Sequence, residues 1–168
     1  MKVESILIVE DDKKLRSILA VEFIDKGYKV YEAFSIETIP NVQIEYAIVD
    51  MRLKGTSGLD VVQHLRKTSP DCRIVILTGY GSISTAVEAI KLGAINYLTK
   101  PADIEKIEKA FKGELLDQKE KQGPITLSQQ EHEYIEYMLV RNGGNISKTA
   151  QDLGLHRQSL QRKLKKRP

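Results

Sequence analysis

The sequence predicts an α/β fold, a doubly wound five-stranded parallel sheet, followed by a small all-α domain. Three observations predict it. Short apolar runs alternate with amphipathic stretches up to about residue 112. Polar residues follow those runs at once: Glu10 and Asp11, Asp50, Thr78 and Lys100. Beyond residue 124 the apolar spacing becomes helical throughout, and from residue 141 the charge turns basic. Alternating βα units imply parallel strands, right-handed crossovers and helices on both sheet faces.

The strands are expected near 5–9, 28–33, 46–50, 73–77 and 96–98, each a run such as Ile6-Leu7-Ile8-Val9 or Ile74-Val75-Ile76-Leu77. Helices are expected over 13–26, 58–68, 82–92 and 104–112, the first with Leu15, Ile18, Leu19, Glu22 and Phe23 at helical spacing. Asp12 either joins the acidic pair or caps the helix that starts at Lys13, and the cap is favoured. Between Ser35 and Ile44 there is room only for a stub helix or a loop, because Pro40 interrupts the segment. Residues 113–124 read as a charged linker, or as an extension of the preceding helix up to Gly123-Pro124. Three helices follow, over 127–141, 146–153 and 156–166, broken at Gly143-Gly144 and at Gly154-Leu155.

Bulk properties narrow the function classes. The chain has 168 residues, enough for a domain plus a small module, and 41% hydrophobic content suits a globular protein. No apolar run approaches the roughly 18 residues of a membrane span, and the N-terminus lacks a signal-peptide pattern. The lone Cys72 cannot form an internal disulfide, which fits a reducing cytoplasm. It is read as a small packed residue, with a redox sensor as the alternative. The net charge of +3 hides a polarity: residues 141–168 hold eight Lys and Arg against one acid, Asp152, which leaves −4 for the first 140 residues. Basic charge at one end points to nucleic acid.

Polar residues just past the C-termini of parallel strands gather in one crevice. Here the crevice would hold three carboxylates, a hydroxyl and an ammonium. Oxygen donors of this kind suit a hard cation such as Mg²⁺. Asp11 and Asp50 are candidate direct ligands, with a main-chain carbonyl at Arg52, and Glu10 would act through water. Asp50 can then attack phosphorus as a nucleophile, with the metal and Lys100 stabilising the transferring oxygens and Thr78 donating to the bound group.

These motifs resemble the receiver domain of two-component response regulators. The matching residues are Glu10-Asp11, Asp50, Thr78-Gly79 and Lys100-Pro101, with Tyr97 at the position of the family's switch aromatic. The resemblance covers residues 1–112 and implies a flavodoxin-like fold, Mg²⁺, and a phosphoryl group taken from a sensor histidine kinase. It also implies a cis Lys100-Pro101 bond and a dimer face formed on phosphorylation by 82–92 and 104–112. Arg52 and Tyr80 stand where the family flanks the path of attacking water. Lys54 departs from the family, which often has proline there.

The segment 146–164 has helix-turn-helix spacing. Leu153, Leu155, Leu160 and Leu164 form its inner face, and Ala150 is the small residue at the helix crossing. Gln158, Arg162 and Lys165 point outward, flanked by Arg157 and Gln161. Arg and Gln can read guanine and adenine in double-stranded DNA, while Lys165 and Lys166 would meet phosphates. The long helix before it, with Ile135, Met138 and Leu139, is expected to pack the core and is a second dimer candidate. This end, residues 125–168, resembles the Fis-type helix-turn-helix shared with NtrC-like activators, in which positions matching Arg157, Gln158 and Arg162 meet DNA. No G-x-x-x-x-G-K-[ST] motif lies between the two parts. Direct joining of receiver and Fis-type module resembles the RegA/PrrA/ActR group, so a DNA-binding transcription regulator is expected. Two rivals use the same residues. A haloacid-dehalogenase phosphatase would carry a second Asp two positions after its nucleophile, where Arg52 stands. A relay receiver would have no use for the basic outward face.

Overall fold

A computed structural model describes residues 3–79, 83–114 and 127–165 of the chain. The chain divides into two compact units. In the larger unit five strands form one parallel sheet: β1 (Ser5–Val9), β2 (Lys29–Ala33), β3 (Tyr46–Asp50), β6 (Arg73–Thr78) and β7 (Asn96–Thr99). Their order across the sheet is β2-β1-β3-β6-β7. The direction of winding reverses between β1 and β3, which opens a crevice at their C-terminal ends.

Alternate residues of the central strands feed two cores, so the strands read as continuous apolar runs. Leu7, Val9, Val49, Ile74 and Ile76 pack on one face with Val61, Val62 and Leu65 of α2 (Gly58–Thr68). Ile6, Ile8, Ile48, Val75 and Leu77 pack on the other with α1 (Lys13–Asp25) and α4 (Ile104–Phe111). Helix α3 (Ile83–Lys91) follows β6. Asp12 caps α1, its Oδ1 accepting from the Lys14 and Leu15 amides at 2.8 and 3.2 Å. The helical spacing of α1 holds, and its two sides differ in burial. Leu19, Ala20 and Phe23 are buried, but Ile18 faces solvent with Val21 and Ile24, because the sheet covers only one stripe of the helix.

The segment after β2 holds a single 3₁₀ turn, Ile36–Thr38, in place of a full second helix. A hairpin of β4 (Arg52–Leu53) and β5 (Thr56–Ser57) follows β3. Ser57 then caps α2, its Oγ accepting from the Leu59 amide while Asp60 accepts from the Ser57 amide. Gly58 is required by close packing. A Cβ there would collide with the Asp50 carbonyl oxygen and stand 2.8 Å from the Met51 Cα.

The smaller unit contains α5 (Leu127–Arg141), α6 (Ile146–Asp152) and α7 (Arg157–Lys165). Its core is Ile135, Ala150 and Leu160, ringed by Ile146, Leu153, Leu155 and Leu164. Gly154 makes the turn between α6 and α7 at φ +65°, a left-handed conformation that favours glycine. Asn142 fastens α5 to α6, its Nδ2 donating to Thr149 Oγ1 at 3.2 Å and to Asp152 Oδ2 at 2.8 Å.

Candidate acidic site and basic helix

The sheet register brings the strand ends level. Val9 lies opposite Val49, Asp50 opposite Leu77, and Thr78 opposite Thr99. The residues that follow therefore meet at one edge. Main-chain bonds from Met51 N to Leu77 O (2.8 Å) and from Lys100 N to Thr78 O (2.7 Å) extend the pairing past the strands. The Lys100-Pro101 bond is cis.

Lys100 Nζ lies 2.6 Å from Glu10 Oε2 and 3.2 Å from Asp50 Oδ1. Glu10 Oε1 also accepts from the Asp12 amide at 3.2 Å. Glu10 and Asp50 are buried, and Asp11 is half-buried. One carboxylate oxygen from each of the three lies within 4.8 Å of the others. Burial raises the pKa of both Asp50 and Glu10 above the ordinary carboxylate range, and Lys100 opposes the shift in each. Three carboxylates line the crevice, with the Lys100 ammonium against Glu10 and Asp50 and the Lys54 ammonium 3.8 Å from Asp11. That donor set fits a hard divalent cation.

Thr78, the buried last residue of β6, stands at the same edge. Arg52 opens β4 with its side chain exposed. Tyr97 is half-buried against the core face that carries α2, outside the acid cluster. Tyr80 and Lys166 lie outside the described residues, as does most of the expected 113–124 linker.

Sequence reasoning missed Arg16. Its Nη1 donates to the Glu10 carbonyl oxygen at 2.6 Å, its Nε to Glu32 Oε2 at 3.2 Å, and its guanidinium sits 5.8 Å from the Phe34 ring centre. The acidic turn is thus held from behind by a cation. The only sequence signal is an arginine one turn inside a helix, which many surface helices share.

On α7, Arg157, Gln158, Arg162 and Lys165 are exposed and Gln161 is half-buried, while Leu160 is fully buried. Lys163 is drawn back to α5 by Glu131, at 2.8 Å. The outward face is therefore a cationic and amide-bearing stripe of the kind that fits a DNA groove.

The response regulator receiver domain family matches residues 6–112, and the bacterial regulatory protein, Fis family, matches residues 126–166. The chain belongs to the two-component response regulators, with a receiver domain joined to a Fis-family helix-turn-helix DNA-binding domain. It is similar to the photosynthetic apparatus regulatory protein RegA of Cereibacter sphaeroides, at 41% identity over 97% of this chain and 91% of that protein. The acid tolerance regulatory protein ActR of Rhizobium meliloti is 39% identical over 98% of this chain and 87% of its own length. A crystal structure of a response regulator from Burkholderia pseudomallei, with a phosphorylated aspartic acid, calcium ion and citrate, matches with TM-score 0.63 and 38% identity. It covers 97% of this chain and 99% of that one. Among the described residues, no helix is long and apolar enough to cross a membrane.

Proposed function

We propose that Asp50 is the phosphoacceptor of a cytoplasmic transcription regulator. The carrying observation is its position: buried where the winding reverses, 3.2 Å from the Lys100 ammonium and clustered with two further carboxylates. An Asp50 oxygen attacks the phosphorus of a phosphohistidine on the sensor kinase. The new O–P bond forms as the P–N bond breaks, and the imidazole leaves with that electron pair. Lys100 balances the charge gathering on the phosphoryl oxygens, and the Thr78 hydroxyl donates to the group once bound. Asp11, Asp50 and the Arg52 carbonyl would hold Mg²⁺ directly and Glu10 through water. When bound, the ion supplies positive charge that offsets repulsion between the carboxylates and the incoming phosphoryl group.

Movement of Thr78 toward the phosphoryl group leaves space into which Tyr97 turns. This differential contact biases a two-state surface over 82–92 and 104–112 toward a homodimer. Receiver, linker and DNA-binding domain are assigned to residues 1–112, 113–124 and 125–168. Two protomers present Arg157, Gln158, Gln161 and Arg162 to bases, and Lys165 and Lys166 to phosphates, in half-sites about one helical turn apart.

The test is labelling by acetyl phosphate with Mg²⁺, read by mass spectrometry. Wild type gains one phosphoryl group and Asp50→Asn gains none while keeping its fold. Undiminished labelling of Asp50→Asn would show the acceptor to be elsewhere.

A further inference from the structure

Lys54, the residue that departs from the receiver pattern, sits at the tip of the β4–β5 hairpin with its Nζ 3.8 Å from Asp11 Oδ2. We infer that Lys54 is a tethered cation that competes with the divalent metal for Asp11 and so sets the Mg²⁺ concentration at which the site loads. This rests on reading Glu10, Asp11 and Asp50 as the metal site.

The two ammonium groups divide the three acids between them. Lys100 pairs with Glu10 and Asp50, the two buried acids, at 2.6 and 3.2 Å. Asp11 is the most accessible acid of the three, with 22% of its side chain exposed, and it is the one that Lys54 approaches. A hydrated cation entering the crevice thus meets a carboxylate that already has a partner. The hairpin fixes the point from which Lys54 reaches: Leu53 beside it is buried, so the backbone that carries the ammonium is anchored near Asp11. The Lys54 side chain is itself 90% exposed, so it can leave without losing packing. An exposed pair of this kind is weak, and its competition amounts to a few-fold in metal affinity. A divalent ion can displace it, and the displacement resists loading only at low metal concentration. A proline or neutral residue at the same position would offer no such competition.

The test measures Mg²⁺ binding to the full-length protein by amide NMR shifts, at ionic strengths of about 0.01 M and about 1 M, where charges are screened beyond roughly 30 Å and 3 Å. At the lower ionic strength Lys54→Met is expected to bind Mg²⁺ about two- to fivefold more tightly than wild type, with Lys54→Arg close to wild type. The gap should close at the higher ionic strength. Half-maximal acetyl-phosphate labelling should shift to lower Mg²⁺ by the same factor. Equal or weaker binding by Lys54→Met overturns the inference, as does a gap that survives high salt unchanged. Asp11→Asn separates the two levels. If it binds Mg²⁺ as well as wild type does, the metal site itself is misassigned and the inference falls with it. If it binds weakly while Lys54→Met equals wild type, only the role of Lys54 fails.

Discussion

Cys72 lies in the core beneath α2, 2% exposed, and burial pushes its thiol up from about 9 to about 12. The thiol therefore stays protonated and covered at neutral pH, which favours packing over redox sensing. A thiol reagent should label the native protein only at the rate at which it unfolds. The linkage sign is fixed by the raised value. Above pH 9 the unfolded state binds fewer protons than the folded one, so this group lowers stability as pH climbs toward 12. Denaturant midpoints for wild type and Cys72→Ala should converge over that range. On α7 the exposed residues separate by chemistry. Arg162→Ala should relax base preference at one position per half-site and cost about 1–3 kcal/mol. Lys165→Ala should weaken specific and random DNA alike, with a salt slope shallower by about one. Footprinting across salt concentrations distinguishes them, and equal loss on both DNAs for Arg162→Ala would remove it from base reading. At this scale the acids, Thr78 and Lys100 were legible, since each follows its own apolar run. Arg16 and the Lys54–Asp11 pair were not, because both arise from side chains meeting across different loops.

The hairpin and α2 show how one element holds another. Gly58 lets the start of α2 lie against the backbone that carries Asp50, and its amide donates to Met51 O at 2.9 Å. Gly58→Ala should push the helix off the strand end. The expected cost is about 1–3 kcal/mol in denaturant unfolding, with slower labelling of Asp50. Full stability and an unchanged rate would mean that the backbone yields without consequence. Strands and long helices were readable because their apolar periods span several residues. The β4–β5 hairpin was not, since two residues per strand are too few to repeat an alternation. Gly58 read as punctuation, and only the packed structure shows it to be a contact. Ile18 fits the helical pattern yet faces solvent, so spacing placed it on a helix without telling which side is buried.

The larger unit has cores on both faces of its sheet, and the helical unit has its own around Ile135, Ala150 and Leu160. Leu160 is fully buried, so Leu160→Ala should cost about 2–5 kcal/mol in a core that small. DNA binding should be lost while acetyl phosphate still labels Asp50 at the wild-type rate. Loss of both activities would show that the units fold as one. Charge polarity and the change of apolar period past residue 124 made the two-part organisation visible in the sequence. The order of strands was not visible there. It follows from which crossovers pack on which face, and local spacing does not encode that.

The ion pair between Glu10 and Lys100 spans 90 residues of chain. During synthesis the ribosome delivers both buried acids well before the ammonium that compensates them. Strands β1, β2, β3 and β6 can pair early, yet the edge strand β7 and the lysine after it are the last part of the sheet to be made. A buried charge without its partner costs about 3–5 kcal/mol, comparable to much of a small domain's stability. The nascent receiver is therefore expected to remain protease-sensitive until Lys100 and the α4 residues that close the core have emerged, so the capacity to be phosphorylated is acquired only once the whole receiver has been translated.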